Sequence, residues 1–379
     1  MADPYDVALE LLAKQAEEIG RLLPDGAEVV DAHTHLGLDE DGRSYSLEQH
    51  LADMARNNIS RACVFALNEP DREPAYRRPN DRILKWAGEA DGKLIPYVRL
   101  SLAEQPLAEA ERCVDLGARG IKLHPRAQAF RVNDPRLEDV FAFAHERKLP
   151  VLIHAGRGLP PGMAEELAHV ADRHPGASLI LAHAAIVDQS GIGKIANQHP
   201  NIYFDTSTWT PLDVLALFSK VGPEQVVYAS DVPYGDHLSS QHLLLRLMRK
   251  AGLAEEVQRG VMGETVLRLV EGKRPERISP PIVDPTLQVP FDHMRVHNYI
   301  AAATPMLWFG KQDMIGFLGL AAGACRNGDG TLAPVAELIV GAEAAWRSSL
   351  EADDPVQMER QRRTAFDLLN VAQSRALFT

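Results

Sequence analysis

Residues 28–35 read EVVDAHTH, a short apolar run that ends in two histidines one residue apart. Side chains alternate across a strand, so His33 and His35 share a face and can grip one ion; Asp31 has the same parity. The pattern recurs along the chain. VLIHAG at 151–156 ends on His154, LILAHA at 179–184 on His183, and VVYASD at 226–231 on Asp231. Outward from these, apolar or β-branched runs begin near residues 29, 61, 94, 120, 150, 178, 201 and 226. They include RACVFAL, LIPYVRL, GIKLHP and NIYFDTST, near-continuous apolar stretches of the kind expected for strands buried on both faces.

Helical segments lie between them. Residues 47–57, 80–90, 106–117, 134–148, 162–174 and 211–222 carry apolar residues at three- and four-residue spacing, several opened by Asp, Asn, Ser or Pro. Strand and helix alternating eight times predict a (β/α)8 TIM barrel over residues 1–275. An open doubly wound sheet is the rival, but it converges ligands from the first, fifth, sixth and eighth strands less naturally. Residues 3–23 read as an amphipathic N-terminal helix that plugs or flanks the barrel, and 239–252 and 255–272 as closing helices. The segment 273–290 holds five prolines and reads as an extended linker, since proline interrupts both helix and ladder. Beyond it, residues 276–379 form a C-terminal helical extension of about four helices, separated by GDG and DDP breaks. Its apolar stripes require burial, on the barrel or on a second copy of the chain, and docking near the mouth would narrow access to the site.

Composition narrows the function classes. A formal charge of −12 with no basic cluster disfavours nucleic acid, whose binding rests on Lys and Arg. No apolar run approaches the roughly 18 residues of a membrane span. The N-terminal MADPYDVALELL lacks a basic segment followed by an apolar one, so the expected location is the cytoplasm. Cys63, Cys113 and Cys325 are isolated and read as buried thiols rather than disulfides or metal ligands.

Imidazole with carboxylate suits a divalent ion, zinc above all, with a position left open. In a parallel barrel the functional face is the C-terminal one, where these residues stand. His124 shares the face of Lys122 and is expected either to donate to a substrate oxygen or to cap a helix. Arg99 and Arg157 are carboxylate clamps or structural ion pairs. Asn68, Asp205, Trp209 and Tyr234 also stand at strand ends and line the expected pocket. His50, His145, His169, His174 and His199 fall on helices and read as solvated; His293 and His297 have helical metal-pair spacing without the HExxH glutamate and read as structural.

Over about residues 28–272 the chain resembles the amidohydrolase superfamily, and within it the amidohydrolase-related branch that includes aminocarboxymuconate-semialdehyde decarboxylase. The resemblance implies metal ligands at His33, His35 and His154, and at His183 a ligand of a second metal or a polarising histidine. Asp231 resembles the ligand that also shuttles the proton. GIKLHP resembles the segment of dihydroorotase and urease in which a carbamylated lysine bridges two metals, which makes Lys122 a sixth candidate ligand; the open alternatives are a single ion and a structural lysine paired with Asp205 or Asp231.

The leading expectation is hydrolysis of a C–N bond in a small amide, cyclic amide or imine, with metal-activated water, Asp231 as proton carrier, and His183 and His124 polarising the carbonyl. The alternative is a non-oxidative decarboxylase or hydratase, or a lactonase, acting on a small carboxylated molecule. A non-catalytic binding protein is disfavoured because all six candidate ligands are present.

Overall fold

The computed structural model describes residues 3–160, 162–282, 289–326 and 330–378. Eight parallel strands follow one another in chain order: β1 (Val30–Leu38), β2 (Arg61–Ala66), β3 (Leu94–Arg99), β4 (Gly120–Leu123), β5 (Pro150–Ile153), β6 (Ser178–Leu181), β7 (Ile202–Asp205) and β8 (Val226–Val227). A two-residue strand, Ser44–Tyr45, pairs antiparallel with the end of β1. The ring closes where the Ala32 amide donates to the Tyr228 carbonyl (3.0 Å) and the His35 amide to that of Val232 (2.8 Å). β8 is shorter than the VVYASD run suggests, and Asp231 stands beyond it in a left-handed turn with φ 61°.

The period of two divides the apolar strand residues into two cores. Val30, Ala32, Cys63, Phe65, Leu152, Ile180 and Tyr203 fill the barrel interior. Ala62, Val64, Ile121, Val151, Ile153, Leu179 and Phe204 face the surrounding helices. The same alternation brings Arg99, Lys122 and Asp205 to the inner face at the ends of β3, β4 and β7. In β1 the register shifts between Asp31 and Thr34. This bulge lets Ala32 and His33 both point inward and overrides the parity that would have put Asp31 beside His33. The Asp31 carboxylate instead accepts from the amides of His33 (3.0 Å) and Ser230 (3.1 Å) and faces His237 Nδ1 (3.1 Å), tying β1 to the turn that carries Asp231.

The helical extension is present and packs on the barrel. Its helices are α3 (Phe291–Trp308), α4 (Met314–Arg326), α5 (Ala333–Glu351) and α6 (Pro355–Leu377), while α1 (Pro4–Leu22) and α2 (His237–Lys250) precede them. α6 lies against α5, α3 and α2, and α1 lies on α5, α6 and α2, so the N-terminal helix flanks the barrel in company with the extension. Trp346, Phe366, Leu369 and Ile339 are buried in these contacts, at about 1.5–3 kcal/mol for each large apolar side chain. Glu18 of α1 pairs with Arg246 of α2 and Arg375 of α6.

The proline-rich segment runs along the barrel as far as it is described. Ser279 N–H donates to Glu224 (2.9 Å) and Ile282 N–H to the Phe218 carbonyl (2.9 Å). Residues 283–288 of this linker and 328–329 of the GDG break lie outside the described residues. All three cysteines are buried and free. His50 and His174 are buried rather than solvated: His50 stacks on His237 and His174 on Phe141, because the helix faces that carry them turn toward the protein. No helix among the described residues is long and apolar enough to cross a membrane.

Candidate metal centre

After the bulge, His33 and His35 enter the barrel mouth together, and the left-handed turn after β8 swings Asp231 onto them. His33 Nε2 and His35 Nε2 lie 3.2 Å apart, and Asp231 Oδ1 is 3.1 Å from each. Among the described residues these three form a group able to hold a metal ion. His33 Nδ1 donates to Asp205 Oδ2 at 2.7 Å, which leaves its Nε2 lone pair directed at the group. Burial alone would raise the carboxyls of Asp231 and Asp205, but the neighbouring imidazoles override it and hold both below the usual carboxylate range. Burial pushes His35 down to about 3, so its ring is neutral. Two imidazoles and a carboxylate packed this closely at the floor of a cavity suit a bound cation.

A second pair stands beside the first. His183, also in a left-handed conformation (φ 59°), donates from Nδ1 to the Ser207 carbonyl (2.7 Å), so its Nε2 accepts from His154 Nδ1 (3.0 Å). This relay leaves His154 Nε2 as a lone pair, and that atom is buried without a hydrogen-bond partner. That atom lies beside Gly156 and stands outside the group of three. Gly156 makes room for the pair: a Cβ at that position would come within 2.8 Å of His183 Cδ2 and 3.0 Å of His154 Cε1. His124 stacks on His154 at 4.1 Å. It caps the short helix Pro125–Gln128, with Nδ1 accepting from the Ala127 amide (3.2 Å); the cap fixes the tautomer and leaves Nε2–H free to donate.

Lys122 Nζ lies 3.0 Å from His33 Nε2 and 4.7 Å from the centroid of Phe65. Burial pushes its amine down to about 7, against the pull of Asp231 and Asp205. The ion pair considered with Asp205 or Asp231 does not form: Asp205 is taken by His33 and Ser207, and Asp231 by the two imidazoles.

A cavity of about 490 Å³ opens above these groups, and Arg99, Arg157, Trp209, Tyr234 and Asn68 all line it. Arg157 is exposed at the rim. Arg99 is fully buried; its Nη1 donates to the Ala66 carbonyl (3.1 Å) and its guanidinium covers the Tyr76 ring. Nε and Nη2 have no partner, and no carboxylate pairs with Arg99 among the described residues, so the structural ion pair is absent. Tyr234 meets His35 edge-on at 5.5 Å and donates its hydroxyl to Asp39. His293 spends Nδ1 on the Ala376 carbonyl (3.0 Å), in keeping with a structural role.

Ser207 was not legible as a site residue, although its parity with Asp205 in NIYFDTST carried the signal. It places the carbonyl that orients His183. The Asp31–His237 contact was hidden because it depends on the β1 bulge.

The chain belongs to the amidohydrolase family: the family model described as amidohydrolase matches residues 30–271, which span β1 through the last barrel helix. Solved structures share the barrel. One is an uncharacterised TIM-barrel protein from Bordetella bronchiseptica, with 16% identity, TM-score 0.53, and coverage of 65% of this chain and 99% of that one. A 2,6-dihydroxybenzoate decarboxylase from Rhizobium gives 17% identity and TM-score 0.50 over 65% of this chain and 99% of its own. A probable 2-pyrone-4,6-dicarboxylic acid hydrolase from Acinetobacter baumannii, solved with citric acid bound, gives 12% and 0.50 over 64% and 99%. Identities this low establish the fold alone. No curated protein gives a significant match.

Proposed function

We propose that the protein is a metal-dependent lyase that removes carbon dioxide from a small carboxylated molecule, in preference to the C–N hydrolase expected first. The observation that carries this reading is Arg99, a buried guanidinium at the cavity wall with two donor nitrogens unpartnered. An unpaired buried charge costs several kcal/mol and is retained where a ligand completes it. A planar fork matches a carboxylate. Two of the barrel neighbours are named for acids, a dihydroxybenzoate and a pyrone dicarboxylate.

His33, His35 and Asp231 would hold one divalent ion; nitrogen and oxygen ligands of this type favour zinc. Bound there, the ion supplies Lewis acidity to a substrate oxygen. Arg99 holds a substrate carboxylate, and His124 donates from Nε2 to a second oxygen. Cleavage of the C–CO2 bond releases carbon dioxide and leaves the electron pair on carbon; Asp231, a carboxylate at rest, would relay to that carbon a proton taken up from solvent in the cavity. Lys122 remains an unmodified amine beside His33 in this reading, since one three-residue group rather than two converges among the described residues.

The test is a panel of hydroxybenzoates, unsaturated acids, amides and lactones incubated with the metal-loaded protein, with carbon dioxide read by mass spectrometry. Release from at least one acid is expected, together with a KM raised at least about tenfold in Arg99→Lys, which keeps the charge and loses the fork. Turnover of an amide or lactone without carbon dioxide release would return the protein to the hydrolases. Two ions per chain with extra density on Lys122 Nζ would replace the single-ion centre by a carbamate-bridged one.

A further inference from the structure

The aromatic walls of the cavity do not stand alone. Trp209, which follows β7 and lines the cavity, meets the Trp308 ring of α3 at 5.0 Å and the Phe366 ring of α6 at 5.1 Å. Those two rings also touch each other at 4.9 Å, and neither lines the cavity. They therefore stand behind Trp209, on the side away from a ligand. A second lining residue is tied to the same cluster. Tyr234 lines the cavity, and the Arg43 guanidinium lies over both its ring (5.1 Å) and the Trp308 ring (4.6 Å). Arg363 of α6 donates to the carbonyls of Pro233 and Gly235, on either side of Tyr234.

We infer that the C-terminal extension builds the back of the substrate pocket: Trp308, Phe366 and Arg363 are positioning residues that fix Trp209 and Tyr234 and thereby set the size of ring the cavity admits. The three residues lie outside the family match at 30–271, so the barrel supplies the chemistry and the appended helices supply the selection. A wall of interlocked aromatic rings cannot retreat without losing packing on both faces. Removing Trp308 opens space behind Trp209 and, through Arg43, loosens Tyr234. The inference concerns the same cavity as the proposed decarboxylation and rests on that reading only for the choice of acids as probes.

Calorimetric titration of the full-length, metal-loaded protein with benzoate, 2-naphthoate, benzamide and 2-naphthamide reads ring size and charge separately. Trp308→Ala is expected to shift the naphthyl-to-phenyl affinity ratio about tenfold toward naphthyl, the scale on which apolar pockets discriminate size. Metal content should match the wild type, and Trp308→Phe should recover most of the original ratio. Should Trp308→Ala fail to give the wild-type circular dichroism, Arg43→Ala, at a half-exposed position, is expected to move the ratio in the same direction by a smaller factor. An unchanged ratio in every folded variant, or no binding of any of the four probes by the wild type, overturns the inference. Equal affinity for acid and amide would sink the carboxylate reading while leaving the shift in ring size as support for the wall.

Discussion

Two groups of histidines share one barrel mouth and are built by different rules. His33 and His35 come from a single strand, and their Nε2 atoms meet 3.2 Å apart with Asp231 closing the triangle. His154 and His183 come from neighbouring strand ends, and they reach each other only because the chain has already turned at His183. The two sets are adjacent, with His33 and His183 ring centroids 5.3 Å apart. In the first set the β1 bulge and the left-handed turn at Asp231 bring three ligand atoms together. In the second the left-handed turn at His183 gives a relay that leaves one free lone pair. Under the proposed function the first set would seat the ion and the second would adjust it.

The largest expected effect follows from that division. Replacing His33 and His35 together by alanine removes two of the three converging atoms and should release the metal entirely, read by elemental analysis of protein purified without chelator. Full occupancy in that variant would break the comparison at its root. His154→Ala should be milder: metal stays bound in near-stoichiometric amount but is lost to a weaker chelator, because His33, His35 and Asp231 remain. If it empties the site as completely as the double variant, the distinction between the sets disappears.

Legibility followed the same line. His33, His35, Lys122 and Asp205 could be placed from the period of two, because strand residues keep their parity wherever the ladder is regular. Asp31 could not, because the β1 bulge that turns it away leaves no mark in EVVDAHTH. His183 and Asp231 stood out by their positions after apolar runs, but their aim did not, since both need left-handed backbone that non-glycine residues adopt only under tertiary constraint. In the extension the apolar stripes announced helices and a need for burial. Nothing in the stripes said that Trp308 and Phe366 would find Trp209, a contact between residues about a hundred or more positions apart.

Asp205→Asn sharpens the comparison from behind the ligands. The Asp205 carboxylate accepts from His33 Nδ1 and, through Oδ1, from the amides of His183 and Ser207, so it braces both sets at once. An amide keeps one oxygen for the two backbone amides but turns its NH2 toward His33 Nδ1, so His33 loses both its acceptor and the charge that makes it a stronger donor to a cation. Metal affinity should fall about 10–100-fold, the usual scale for a partner behind a metal-bound histidine. A chelator-competition titration measures it, and an affinity within a factor of about two of wild type would show that Asp205 braces the backbone alone.

The smallest effect should come from Gly156→Ala, which touches only the second set. An added methyl would meet His183 Cδ2 at 2.8 Å and His154 Cε1 at 3.0 Å, and both atoms belong to rings already fixed by the Ser207 relay. The rings must shift by a few tenths of an ångström, an overpacking strain of about 1–3 kcal/mol when neighbours cannot move away. His33, His35 and Asp231 are not among the atoms the methyl meets, so metal content should be unchanged. Turnover should fall about tenfold, with KM little altered, because a tilt of His154 disturbs the reacting geometry without touching Arg99. Loss of metal from this variant would mean that the two sets form one rigid ligand shell, and the separation drawn between them would have to be abandoned.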